Sequence, residues 1–314
     1  MSWTDIFPVF TDEMVDEFHS AATADEKAEL EEWYGVEQVF NRQDKRHIAS
    51  VSLFWKNVKA CDPDLPEPTR DRMKRARELG LALRYDPWEH YVEPLLREVP
   101  VLRVQFPNVV FRVHLAKDLE FLVPDLVEAG CEVQLMKSSS IRLAPGALWR
   151  YLPLEEEGKL ITLIDSDRVG EIALDIARTE AMGQSDLGVW RFPQTSDFNP
   201  NGEIRYTPFL GQHFGIRGGW PIKLLMQAFT WYCRCGKMNS MIAFPGSGLI
   251  PTAQPHWPDY GFDEWFLATA LYPRVAASGV VTLVWSSDRS LLLTLDIEYV
   301  TWANPKSQLI YIPA

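Results

Sequence analysis

"KLITLIDSDRVGEIALDIARTEAMG", residues 159–183, holds a strand, an acidic turn and a helix in succession. The run from Leu160 to Ile164 is apolar and β-branched and short enough for a strand buried on both faces. From Gly170 to Gly183 the apolar residues recur at helical spacing, with a glycine as the stop. Between the two lie Asp165, Ser166 and Asp167. Side chains alternate along a strand, so an extended chain here points Asp165 and Asp167 one way and Ser166 the other. Two carboxylates that close repel unless a cation lies between them. Their hard oxygens suit Mg²⁺ or Mn²⁺, ions that usually keep one or two carboxylates together with substrate phosphates. The competing reading is an acidic turn at the start of the next helix, where negative charge is favoured.

Outward from this unit the pattern repeats. "HIASVSLFW" (47–55), "NVVFRVHLA" (108–116) and "CEVQLM" (131–136) read as strands. "TRDRMKRARELG" (69–80), "WEHYVEPLLREVPVL" (88–102, with a break near Pro94), "KDLEFLVPDLVEAG" (117–130) and the short "APGALWRYLPL" (144–154) read as helices. Strands alternating with helices at this spacing predict a doubly wound, mostly parallel, Rossmann-like α/β sheet with its ligand edge at the strand carboxyl ends. Beyond residue 184, "FLGQHFGIRGGWP" (209–221) reads as a glycine-rich aromatic loop. A helix over 221–234, a loop over 244–261, a helix from Phe262 and a late strand "VVTLVW" follow. Ahead of the first sheet strand, residues 11–34 read as helical, with Thr23 and Glu26 at capping-box spacing. The expected division is an N-terminal helical arm, 1–46, and the main α/β domain, 47–314. The arm's aromatics, Trp3, Phe7, Phe10, Phe18 and Trp33, must dock on that domain or on a twin subunit, which makes a homo-oligomer one expectation.

Composition narrows the partners. The 314 residues carry 43 acidic against 31 basic side chains, a net charge of −12, which argues against a nucleic-acid binder because phosphate neutralisation needs excess Lys and Arg. A nucleotide is not excluded, since a metal and a few local cations can hold one. The start, "MSWTDIFPVFTDE", has no basic or long apolar segment, and no stretch approaches the ~20 apolar residues of a membrane span. Together with four cysteines in no framework spacing, this gives the expectation of a cytoplasmic protein with reduced thiols.

The ordered series "VSLFW", "FPNVVFRVHL", "ALWRYLPL", "LIDSD", "GQHFGIRGG" and "YGFDEWFLATALYP" resembles bacterial and viral glycosyltransferase-like proteins of the GT-A architecture. The resemblance covers residues 47–290 through several short motifs in the right order. It implies sugar transfer from a nucleotide-sugar donor, a UDP- or GDP-sugar, to a glycan or other hydroxyl acceptor, with Mn²⁺ or Mg²⁺ as cofactor. Asp167 is then the direct metal contact, and Asp165 the partner of the ribose or of a metal-bound water. Phe54 or Trp55 would stack on the base, and Arg150 would reach phosphate or base. His213 and Arg217 would contact the donor sugar or diphosphate, and His256 and Trp257 the acceptor. Asp263 or Glu264 would be the base in an inverting transfer, with Asp263 better placed beside the apolar stripe of its helix.

The chain departs from that pattern in three places. Ile164 stands where relatives often have Arg, "RTEAMG" matches an Arg-Glu pair only through Arg178 and Glu180, and "VWSSDRS" lacks a histidine. Asp288 is the substitute metal ligand in that last stretch. These departures favour an alternative, a glycosyltransferase-like protein that binds nucleotide sugar or glycan without turnover.

Overall fold

The computed structural model describes residues 9–55, 66–81, 85–140, 144–189, 214–237, 262–278, 281–285 and 308–311. Among the described residues, nine strands form one sheet: β1 (Val36–Phe40), β2 (His47–Leu53), β3 (Val109–Leu115), β4 (Glu132–Met136), β5 (Leu160–Leu163), β6 (Leu187–Val189), β7 (Phe214–Arg217), β8 (Val281–Trp285) and β9 (Gln308–Tyr311). Their spatial order is β1-β4-β3-β2-β5-β7-β6-β8-β9. β4, β3, β2 and β5 are mutually parallel. β7 runs against both β5 and β6, β1 runs against β4, and β6, β8 and β9 are parallel, so seven of the nine strands share one direction.

Every residue of β2, β3 and β5 is buried, as expected of parallel strands covered on both faces. The cover consists of α3 (Arg70–Lys74), α4 (Glu93–Gln105), α5 (Val123–Glu128), α6 (Ile172–Ala181), α7 (Ile222–Arg234), α8 (Phe262–Phe266) and α9 (Tyr272–Ser278). 3-10 segments Lys117–Leu122, Ala144–Glu155 and Ser166–Glu171, and π-helical turns Trp88–Val92 and Leu267–Leu271, complete the cover. The helix read over 69–80 is only α3, because Arg75 leaves helical geometry at φ −130°. That stretch buries Met73 and Ala76 but little else, and one turn without an apolar stripe does not sustain a helix.

The two helices of the arm pack on the rest of the chain. These helices, α1 (Asp12–Ala21) and α2 (Ala24–Trp33), are split at Thr23, whose capping box with Glu26 is formed. Phe10 packs edge-on against Phe229 and Tyr232 of α7 at 5.6 and 5.3 Å, and Phe18 meets Trp231 at 5.8 Å. The Tyr34 hydroxyl and Thr230 Oγ1 lie 2.6 Å apart in the core. β1, which has no strong strand signature, forms the sheet edge beside β4. Among the described residues no helix is long and apolar enough to cross a membrane.

Candidate functional site at the carboxyl ends of β2 and β5

From β2 the chain steps outward to β3 and β4, then returns to place β5 on the other flank of β2. The strand order reverses at the β2–β5 pair. In open α/β sheets, ligands sit outside the carboxyl ends of the strands at such a switch point. Phe54 and Trp55 leave β2 there, and Ile164 and Asp165 leave β5.

The 3-10 segment Ala144–Glu155 crosses this edge and is anchored by β2. Arg150 donates its backbone N–H to Ser52 Oγ at 2.8 Å, and Ser50 Oγ donates to the Arg150 carbonyl at 2.8 Å. The polar residues inside an otherwise apolar strand are thereby explained. They fix a neighbouring backbone that has no helical partner for these groups. Trp149 Nε1 donates to the carbonyl of Trp33 at 2.9 Å, which ties the same segment to the arm.

Arg150 itself is 5% exposed, and its guanidinium bridges two carboxylates. One amino group donates to Asp165 and the other to Asp263, the second residue of α8. Burial opposes the charge of Arg150, but Tyr151, Asp165 and Asp263 outweigh it and hold its pKa well above the ordinary arginine value. Tyr151, also buried, is pushed up by desolvation, so its phenol stays protonated. Residues 113 positions apart in sequence are thus joined through one buried cation.

Asp167 takes a different partner. Its Oδ2 lies 3.3 Å from His90 Nε2, and His90 stacks on Tyr85 with ring centroids 4.0 Å apart and an interplanar angle of 16°. The shared direction expected of Asp165 and Asp167 is not present. β5 ends at Leu163, Asp165 stands just before the 3-10 segment Ser166–Glu171, and Asp167 lies in its first turn. Alternation by two applies to a strand, and the chain has left the strand.

The structure separates the other sequence-predicted residues. Trp55 is 2% exposed and offers no open face to a base. Phe54 is half-buried, edge-on to Trp149 at 6.2 Å, with its ring over Gly146, where a Cβ would meet it at 2.8 Å. Arg217 pairs with Leu160 at the amino end of β5, the edge opposite Asp165, and donates to the Gly183 carbonyl at 2.6 Å. It therefore does not stand with the aspartates. It lines a cleft of about 740 Å³ with Glu155, Glu157, Asp186 and Trp220. The glycines around it serve packing rather than a ligand: a Cβ on Gly215 would lie 2.5 Å from Thr179 Oγ1, and one on Gly218 2.1 Å from the Glu156 carbonyl. Residues 214–217, read as loop, are β7. Glu180 lies 3.5 Å from His47 at the start of β2, also on the opposite edge. His213, His256, Trp257 and Asp288 fall outside the described residues, as does the side chain of Glu264.

His90 was not singled out from the sequence. The local signal was the crowding of Tyr85, Trp88 and Tyr91 around it.

Four buried side-chain polar atoms without hydrogen-bond partners belong to residues at this edge: Trp55 Nε1, Arg150 Nε, Ser166 Oγ and Asp167 Oδ1. Buried polar groups are ordinarily satisfied by protein or ordered water, so these four atoms are open to a water or a polar ligand. A divalent cation fits this donor set through the Asp167 carboxylate with phosphates completing the shell. A protein-only cage does not fit, because among the described residues no three His, Cys, Asp or Glu side chains cluster around a common point.

No family model matches the chain, and no curated protein matches it. Among solved structures, the crystal structure of residues 1–349 of S. aureus TarS is similar at 14% identity, with a TM-score of 0.32. The match covers 71% of this chain and 55% of that one, and at this TM-score it carries no argument about the site.

Proposed function

We propose that this chain is a nucleotide-sugar-dependent glycosyltransferase with a GT-A-like frame, moving a sugar from a UDP- or GDP-sugar to a hydroxyl of a glycan acceptor. The observation that carries the reading is the Arg150 bridge. It brings a carboxylate from the end of β5 and one from the first turn of α8 to a single buried cation at the switch point of the sheet. In the reaction, the acceptor oxygen bonds to the anomeric carbon as the bond from that carbon to the diphosphate oxygen breaks. Asp263 takes the hydroxyl proton, and the nucleoside diphosphate leaves with the electron pair. Arg150 holds Asp263 in place, and Asp165 faces the donor's ribose. Mn²⁺ or Mg²⁺ bound through Asp167 would neutralise charge on the leaving diphosphate.

The same bridge favours a second reading. A carboxylate committed to a buried guanidinium must loosen before it accepts a proton, which suits a protein that binds nucleotide sugar or glycan without turnover. Incubation with Mn²⁺ and a panel of UDP- and GDP-sugars separates the two. Release of nucleoside diphosphate supports transfer, and saturable binding without release supports the second reading. A chain that neither binds nor releases any of them fits neither.

A further inference from the structure

We infer that His90 is a metal ligand: its imidazole and the Asp167 carboxylate form a two-residue cradle for a transition dication, Mn²⁺ in preference to Mg²⁺, whose remaining positions are filled by the diphosphate of a bound nucleotide. The inference rests on the nucleotide-sugar reading.

Spacing is the first support. His90 Nε2 and Asp167 Oδ2 are 3.3 Å apart. Two ligand atoms at that separation, each about 2.1 Å from one ion, subtend roughly 100° at it, between the octahedral and tetrahedral values. The second support is Asp167 Oδ1, buried and without a partner, so the carboxylate has an oxygen to spare. Orientation is the third. Tyr85 lies flat on the His90 ring, Tyr91 abuts it edge-on at 4.5 Å, and the ring is only half-buried, so it is held yet reachable. The fourth is the backbone: His90 sits in the π-helical turn Trp88–Val92, and such turns recur at functional sites. The preference for Mn²⁺ follows from the donor set. Mg²⁺ takes oxygen almost alone, whereas an imidazole nitrogen suits transition ions.

Binding of Mn²⁺ to the full chain, followed by loss of the free-ion EPR signal with and without UDP, tests this. The parent should bind Mn²⁺ more tightly than Mg²⁺ when UDP is present, and pulsed EPR of the bound ion should show coupling to an imidazole nitrogen. His90→Gln, which can still hydrogen-bond Asp167, should weaken Mn²⁺ by at least about 10-fold, lose the nitrogen coupling and shrink the preference over Mg²⁺. His90→Asn replaces it should the glutamine variant not fold. Unchanged Mn²⁺ affinity or a persisting nitrogen coupling in either variant overturns the proposal and leaves the nucleotide reading standing. UDP binding indifferent to Mn²⁺ does the same. A parent that binds no nucleotide under any condition removes both.

Discussion

Asp165 and Asp167 are two residues apart and face different partners, the Arg150 guanidinium and the His90 imidazole. The acidic turn after β5 is thus two half-sites, one locked by a buried guanidinium and one open to an imidazole. The locked half carries the larger energetic stake. Removing one member of a buried ion pair leaves an uncompensated charge and costs about 3–5 kcal/mol. Arg150→Met leaves two carboxylates facing each other at the edge of the core, so urea unfolding should show a loss in that range, against a much smaller loss for Arg168→Met at the exposed Arg168–Glu171 pair. Equal effects would mean that the bridge contributes no more than a surface pair.

Much of the frame was legible locally. β2, β3, β4 and β5 announce themselves because strands buried on both faces must be apolar and β-branched, and each lies within a few residues of its reading. The glycine stop at Gly130 was legible for a similar reason: its φ of +93° disfavours side chains. The Arg150–Asp263 contact was not legible, because nothing in either segment's pattern encodes a partner more than a hundred residues away. β7 was hidden by Gly215, which is glycine because Thr179 occupies the space of its side chain. The divergence of Asp165 and Asp167 turned on where the strand stops, the least legible feature of any element.

Two buried histidines of the sheet predict acid lability. His47 is buried, with Nε2 2.7 Å from Thr162 Oγ1, Nδ1 3.5 Å from Glu180 and Arg46 adjacent in sequence. Desolvation, aided by Arg46, pushes its pKa down to about 4. His114, fully buried and facing Ser50 and the Val51 carbonyl, is pushed down to about 3 by the same burial, with Arg112 adding to it. Both folded values lie below the unfolded value near 6.5, so both rings contribute stability that is complete above pH 6.5 and is lost as pH falls toward 4. In that window each adds a slope of up to about 1.4 kcal/mol per pH unit. Urea unfolding between pH 7 and 5 should steepen accordingly, and His47→Gln should remove about half of that slope. A His47→Gln chain with the parental slope would show that His47 is not neutral in the folded state.

The arm should be needed for stability and not for donor binding. Phe10, Phe18, Leu30 and Tyr34 are buried in the common core, and Arg274 donates to both Asp12 and the Phe10 carbonyl. Removing residues 1–33 exposes Trp231 and Tyr232 and strips Trp149 Nε1 of its acceptor at Trp33. Each large aromatic uncovered costs about 1.5–3 kcal/mol, so the truncated chain should melt well below the parent or self-associate through the bared face of α7. A thermal melt and light scattering read both outcomes. A truncation that stays folded yet binds no nucleotide would place the arm within the site.

The last prediction concerns the first turn of α8. Asp263 and Glu264 are neighbours on a helix, where successive positions are about 100° apart. The apolar stripe of this helix is Phe262, Phe266, Leu267, Ala270 and Leu271, all buried. Asp263 lies beside that stripe, and its side chain, 15% exposed, reaches Arg150. If it is the base, Asp263→Asn should cut transfer by at least about 10²-fold while nucleotide binding survives, and Glu264→Gln should be milder. The bridge adds a second expectation. Asparagine can still accept from Arg150 but no longer neutralises it, so Arg150 keeps Asp165 alone and the variant should lose some stability. A carboxylate-specific role therefore shows as a loss of rate out of proportion to the loss of stability, read by single-turnover kinetics beside urea unfolding. If Glu264→Gln is the more damaging change, the base is Glu264 and not Asp263. If Asp263→Asn lowers stability and leaves the rate unchanged, Asp263 is a structural counter-ion to Arg150, and the base belongs to another element.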